Sequence, residues 1–98
     1  AKVSIWVGVK SEDSDIDDIK EKLDGVESEF DIEEFKCSEE VDGFGIEILG
    51  HDWDYGVKTI DLEEFNSDID EAIVEMKRLF DKCEITDTIG IYLQTDYR

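Results

Sequence analysis

Val3-Ser4-Ile5-Trp6-Val7-Gly8-Val9 is the stretch on which the fold turns. Val3, Ile5, Val7 and Val9 alternate with Ser4, Trp6 and Gly8, the two-residue period of a strand. One side of that strand is purely aliphatic and the other carries an aromatic ring. Residues two apart line one face of a sheet, so the aliphatic row needs a cover. Trp6, on the opposite side, is expected to lie against the sheet as a packed ring rather than to serve as a ligand platform.

The cover is written in two helical stripes. After a turn at Lys10–Asp13, Ser14 is placed to cap a helix whose first turn holds Asp15, Asp17 and Asp18, where negative charge suits the dipole. Ile16, Ile19 and Leu23 form a narrow apolar stripe, and Gly25 stops it. A second helix is expected from about Asp68 to Lys82, capped by Ser67 with Asp70 at its third position. Ile69, Ile73, Met76, Phe80 and Cys83 run along it as one stripe, and Lys77, Arg78 and Lys82 close it.

Between the helices, an Asp42-Gly43 turn precedes Phe44, Ile46 and Ile48, which alternate with Gly45, Glu47 and Leu49. Val57–Asp61 is a candidate to pair back on that strand, and Ile89, Ile91 and Leu93 mark a closing one. Glu27–Glu40 reads two ways: Phe30/Ile32 and Phe35/Cys37 alternate out of phase across Glu33-Glu34, as one bulged strand or as two short pieces. Narrow helical stripes and singly apolar strands predict an α+β two-layer sandwich. It has one mixed or antiparallel sheet with two helices on one face, in the order β-α-β-β-(β)-α-β. No linker, repeat or proline divides the 98 residues, so 1–98 reads as a single domain.

Charge narrows the choice of partner. Ten Lys and Arg against 29 Asp and Glu leave a net charge of −19. Such a field repels nucleic acid and anionic lipid and draws in basic proteins. The acid is concentrated: Ser11–Glu40 holds 14 acidic residues against three lysines, Lys20, Lys22 and Lys36. No apolar run approaches the ~18 residues of a membrane span, and no signal-peptide pattern precedes the first strand. Cys37 and Cys83 stand 46 positions apart, which is neither a metal spacing nor a disulfide framework. Reduced thiols and a cytoplasmic location are the expectation.

The residues for catalysis are missing. His51 is the one histidine, with no serine or cysteine near it in sequence to activate. One His and two distant Cys make a poor zinc set. Asp13, Asp15, Asp17 and Asp24 fall at calcium-loop positions, but Asp18 stands where the sharp turn needs glycine. No enzyme and no cofactor are expected. Gly50–Gly56 instead reads as a loop tip carrying His51, Asp52, Trp53, Asp54 and Tyr55, aromatic anchors beside carboxylates. These five residues, with Glu33 and Glu34 as flanking acids, are the candidate partner-binding set.

Three segments resemble a family of bacterial toxin-neutralising proteins, immunity protein 22. Val3-Ser4-Ile5-Trp6-Val7-Gly8 is similar to that family's opening strand ending in Trp-x-Gly. Phe44-Gly45-Ile46 followed by His51-Asp52-Trp53 is similar to its central strand and acidic–aromatic cluster. Ile91-Tyr92-Leu93-Gln94-Thr95-Asp96-Tyr97 is similar to its closing strand. Leu49-Gly50 depart from that pattern, and Glu27–Glu40 matches none of it. The resemblance implies a small cytosolic protein that binds and blocks a cognate toxin domain, often a basic nuclease. The charge alone also fits a DNA mimic, with Ser11–Glu40 imitating phosphates toward a nucleic-acid-binding regulator.

Overall fold

The computed structural model describes residues 2–36, 40–52 and 59–96, and for residues 2, 51, 52 and 96 the backbone alone. Its elements are β1 (Lys2–Lys10), α1 (Ile16–Leu23), β2 (Glu33–Lys36), β3 (Asp42–Asp52), α2 (Leu62–Lys82) and β4 (Gly90–Asp96). The strands form one antiparallel sheet in the order β2-β3-β1-β4. The chain is therefore the expected α+β sandwich, with the mixed-sheet option removed.

The aliphatic row of β1 finds its cover. Val7 and Val9 are fully buried, opposite Ile46 and Phe44 of β3. They pack in one cluster with Ile16, Ile19 and Leu23 of α1 and Ala72, Met76, Leu79 and Phe80 of α2. Both helices thus lie on the same face, and each fully buried aliphatic stabilises that layer by roughly 1.5–3 kcal/mol. Val3 and Ile5, at the other end of the row, are only half-buried.

The second face carries its own small cluster. The Trp6 ring stacks on Phe35 with centroids 4.4 Å apart and planes 13° apart, and Phe35 meets Tyr92 at 6.3 Å. Trp6 Nε1–H donates to Gln94 Oε1 at 3.0 Å, so the buried indole keeps a partner. Phe35 lies over Gly43, where an added Cβ would stand inside its ring. The Asp42-Gly43 pair is consequently not a turn but the start of β3, paired with Lys36 and Phe35.

Several boundaries differ from expectation. α1 is capped by Asp15, whose Oδ1 accepts from the Asp18 N–H, one residue later than Ser14. Gly25, at φ 81°, ends that turn as expected. α2 starts at Leu62, not Asp68: Asp61 Oδ1 accepts from the Glu64 N–H, and Phe65 is half-buried in the added turns. Asn66, Ser67 and Asp68 favour caps by local propensity, but packing carries the helix through them. Asp61 as a cap also removes the strand expected at Val57–Asp61, since Thr59 and Ile60 belong to no strand and 57–58 lie outside the described residues.

The ambiguous stretch is resolved as two pieces. Of the described residues in this stretch only Glu33–Lys36 form a strand, and Phe30 and Ile32 pack on the helix-side core while Phe35 faces away. Beyond Lys36, Cys37 lies outside the described residues. β3 holds one irregularity of its own. Ile5 pairs with Leu49 and Trp6 with Glu47, leaving Ile48 as the extra residue of a bulge. The bulge turns both Ile48 and Leu49 toward the helix side, where plain alternation had set Leu49 outward.

Candidate protein-binding surface

The segment read as a loop tip is partly strand. Gly50, His51 and Asp52 are the last residues of β3, opposite Ser4, Val3 and Lys2. Trp53, Asp54 and Tyr55 lie outside the described residues, and of His51 and Asp52 only the backbone is described. Glu33 and Glu34 sit elsewhere. They pair with Gly45 and Phe44 at the far end of β3, seven or more residues from Asp52. At about 3.3 Å per residue that is roughly 20 Å. The two flanking acids are therefore set apart from the backbone of Asp52, because β2 is short and meets only the first residues of β3. Glu34 is engaged with Lys20 of α1 in an ion pair, while Glu33 is exposed on the opposite face.

What the structure does show is that the acid-dense segment is exposed. Of the 14 acids in Ser11–Glu40, the structure describes 13 side chains, and all are exposed. The three lysines among them are already engaged: Lys20 with Glu34, Lys22 with Asp18 and Lys36 with Asp42. The Asp18 hydrogen bond raises the Lys22 ammonium above its ordinary value. Lys10 outside the segment pairs with Asp13 at 3.6 Å, and the acids of the segment still far outnumber these cations. Asp15 is spent on the cap of α1. Among the described residues no group of three or more His, Cys, Asp or Glu is close enough to hold a metal ion. None of the described helices is long and apolar enough to cross a membrane.

A groove of about 300 Å³ opens between the end of β3 and the start of α2. Ile48, Leu49, Ile60 and Phe65 line it, with Asp61, Glu64 and Asp68 among its walls. Its lining includes Leu49 and Thr59, which bracket the aromatic candidates in sequence. Apolar side chains beside carboxylates suit the stem and head of a lysine or arginine. Sequence reading missed it because it depends on the β3 bulge and on the five helical residues before Ser67.

Besides the caps Asp15 and Asp61, a buried carboxylate is structural. Glu75 is buried on α2 and accepts from Arg78 Nε at 2.6 Å and Ser28 Oγ at 2.6 Å. Arg78 also donates to the Glu27 carbonyl at 3.1 Å, and the Phe30 N–H donates to Ser28 Oγ. The connection from α1 to β2 is thereby fastened to α2. The Arg78 and Ser28 hydrogen bonds hold the Glu75 carboxyl down to about 2, well below its ordinary 4.5.

Compared with known proteins, the chain matches no family model, no curated protein and no solved structure.

Proposed function

We propose that the chain is an acidic immunity protein, which binds a basic bacterial toxin domain and blocks its active or substrate-binding site. The observation that carries this reading is the exposed acid of Ser11–Glu40: 13 carboxylates in solvent, with all three lysines of that segment already paired inside the protein. A partner rich in Lys and Arg supplies the missing counter-charge. The field steers the encounter, and short-range contacts then hold the complex. Trp53 and Tyr55 are the proposed anchors, Asp52 and Asp54 the docking carboxylates, and the groove at Ile48 and Phe65 a receptor for a cationic side chain. On this reading the protein works in the cytoplasm, without cofactor or catalysis.

The test is co-expression with the toxin domain encoded beside it, followed by binding kinetics. Rescue of the host supports the reading, and a toxin that kills regardless removes it. Trp53→Ala is expected to weaken the complex by more than ~2 kcal/mol, mainly through faster dissociation. Neutralising Glu12, Asp17 or Glu21 is expected to slow association and leave dissociation unchanged.

A DNA mimic directed at a nucleic-acid-binding regulator is the second reading. It is favoured by the density of exposed acids along α1 and its connection to β2. It expects the reverse ranking, with the α1 acids dominant and Trp53 nearly silent.

A further inference from the structure

The connection from α1 to β2, residues 24–32, belongs to no helix or strand. Its side chains nonetheless alternate: Val26, Ser28, Phe30 and Ile32 are half-buried, while Glu27, Glu29 and Asp31 are exposed. Val26, Phe30 and Ile32 pack against the core only in part, whereas Val7 and Val9 of β1 are fully buried. Open space flanks the segment on both sides. It amounts to about 350 Å³ toward Leu23 and Phe44, and about 430 Å³ beside Val74 of α2. The segment starts at Gly25, where φ is 81° and no atom stands within 4 Å of an added Cβ, so the backbone there is free to hinge. Its polar fastening is concentrated at one carboxylate. Ser28 Oγ–H donates to Glu75 Oε2 at 2.6 Å, and Arg78, which grips both Glu75 oxygens, reaches on to the Glu27 carbonyl at 3.1 Å.

We infer that residues 24–32 form a strap that opens as a unit while the sheet and α2 stay folded, and that Glu75 is the latch holding it shut. Opening breaks the Ser28 and Glu27 hydrogen bonds to α2 and uncovers three half-buried side chains. Unfolding the sheet breaks the ladders on both sides of β1 and bares Val7 and Val9 as well. The second event costs far more, and a segment so lightly held opens below the free energy of global unfolding. The latch is also built to release. Glu75 and Arg78 stand three apart on the same helix, so their ion pair stays whole when the strap lifts. No charge is orphaned, and water replaces the Ser28 hydroxyl. Shut, the strap holds Glu27, Glu29 and Asp31 outward, and the repulsion among these like charges favours the open form.

Residue-resolved hydrogen exchange of the whole chain in low, non-denaturing urea tests the strap and the latch separately. The Phe30 N–H, bonded to Ser28 Oγ at 3.2 Å, reports on the strap, and the amides of Val7 and Val9 report on the sheet. Relative to the unfolded chain, Phe30 is expected to be protected, yet at least about 10-fold less than Val7 and Val9. Its rate is expected to depend little on urea, because opening exposes little surface. Ile5→Ala, in the sheet, is expected to speed Val7 and Val9 roughly 5-fold and leave Phe30 unchanged. Glu75→Gln is expected to speed Phe30 by roughly 10- to 100-fold. Arg78→Met, from a side chain half in solvent, probes the same latch and is expected to act in the same direction. The strap is overturned if Phe30 matches Val7 and Val9 in rate and urea slope, or if Ile5→Ala speeds all three alike. Unchanged Phe30 exchange in Glu75→Gln and Arg78→Met overturns the latch, and an unprotected Phe30 in the parent overturns both.

Discussion

Glu75 is a buried carboxylate whose charge supports the fold through Arg78 and Ser28. Its folded value of about 2 lies below the ordinary 4.5, so it contributes stability above pH 4.5 that is lost as pH falls toward 2. Glu75→Gln is expected to cost on the order of 2 kcal/mol at pH 7, the range for hydrogen bonds to a charged group. The gap to the parent should close between pH 4.5 and pH 2. Urea unfolding across that range checks it, and a gap independent of pH would assign the effect to packing. Burial sets a second contrast. Met76 is fully buried and Ile5 only half-buried. Met76→Ala is expected to cost roughly 2–5 kcal/mol and Ile5→Ala about 1 kcal/mol. Equal losses would mean that the Ile5 end of β1 is covered as deeply as its centre.

At the scale of the element, α2 is defined by its two ends. Asp61 opens it, six residues before the serine that looks like a cap. Its last turn closes with the Ile85 N–H on the Phe80 carbonyl at 2.8 Å, with Glu84 at φ 58° and Ile85 buried beneath it. That left-handed position is where glycine is ordinarily found. A side chain there is strained by about 1–2 kcal/mol. Glu84→Gly is therefore expected to stabilise the protein by roughly 1 kcal/mol, and to remove one negative charge from an end of the helix where negative charge is unfavourable. Thermal melts of parent and variant measure it. A loss of stability would mean that the Glu84 side chain contributes more than its backbone costs.

Across the whole molecule the dominant force besides burial is self-repulsion. Nineteen net negative charges on 98 residues oppose compaction most when screening is weakest. The Debye length falls from about 30 Å at 0.01 M to about 10 Å at 0.1 M salt. The melting temperature is accordingly expected to rise as NaCl increases across that interval. A flat profile at a fixed protein concentration would mean that the pairs of Lys20, Lys22 and Lys36 already balance the field.

Local pattern was sufficient wherever one residue's role depends on its near neighbours. The strand at Val3–Val9, the stripe Ile16-Ile19-Leu23, the stop at Gly25 and the α+β layering all follow from periodicity, because a side chain's face is decided within a few residues. The net charge and its crowding into Ser11–Glu40 were equally plain. Tertiary structure alone decided the rest. The β3 bulge turns Leu49 inward, because pairing with β1 continues on both sides of one extra residue. α2 runs through Asn66–Asp68, because burying its stripe outweighs the local preference for caps there. Glu33 and Glu34 part from Asp52, because register along β3 sets their distance. Ile91 and Leu93, apolar in alternation like any core row, remain exposed because the helices cover only the centre of the sheet.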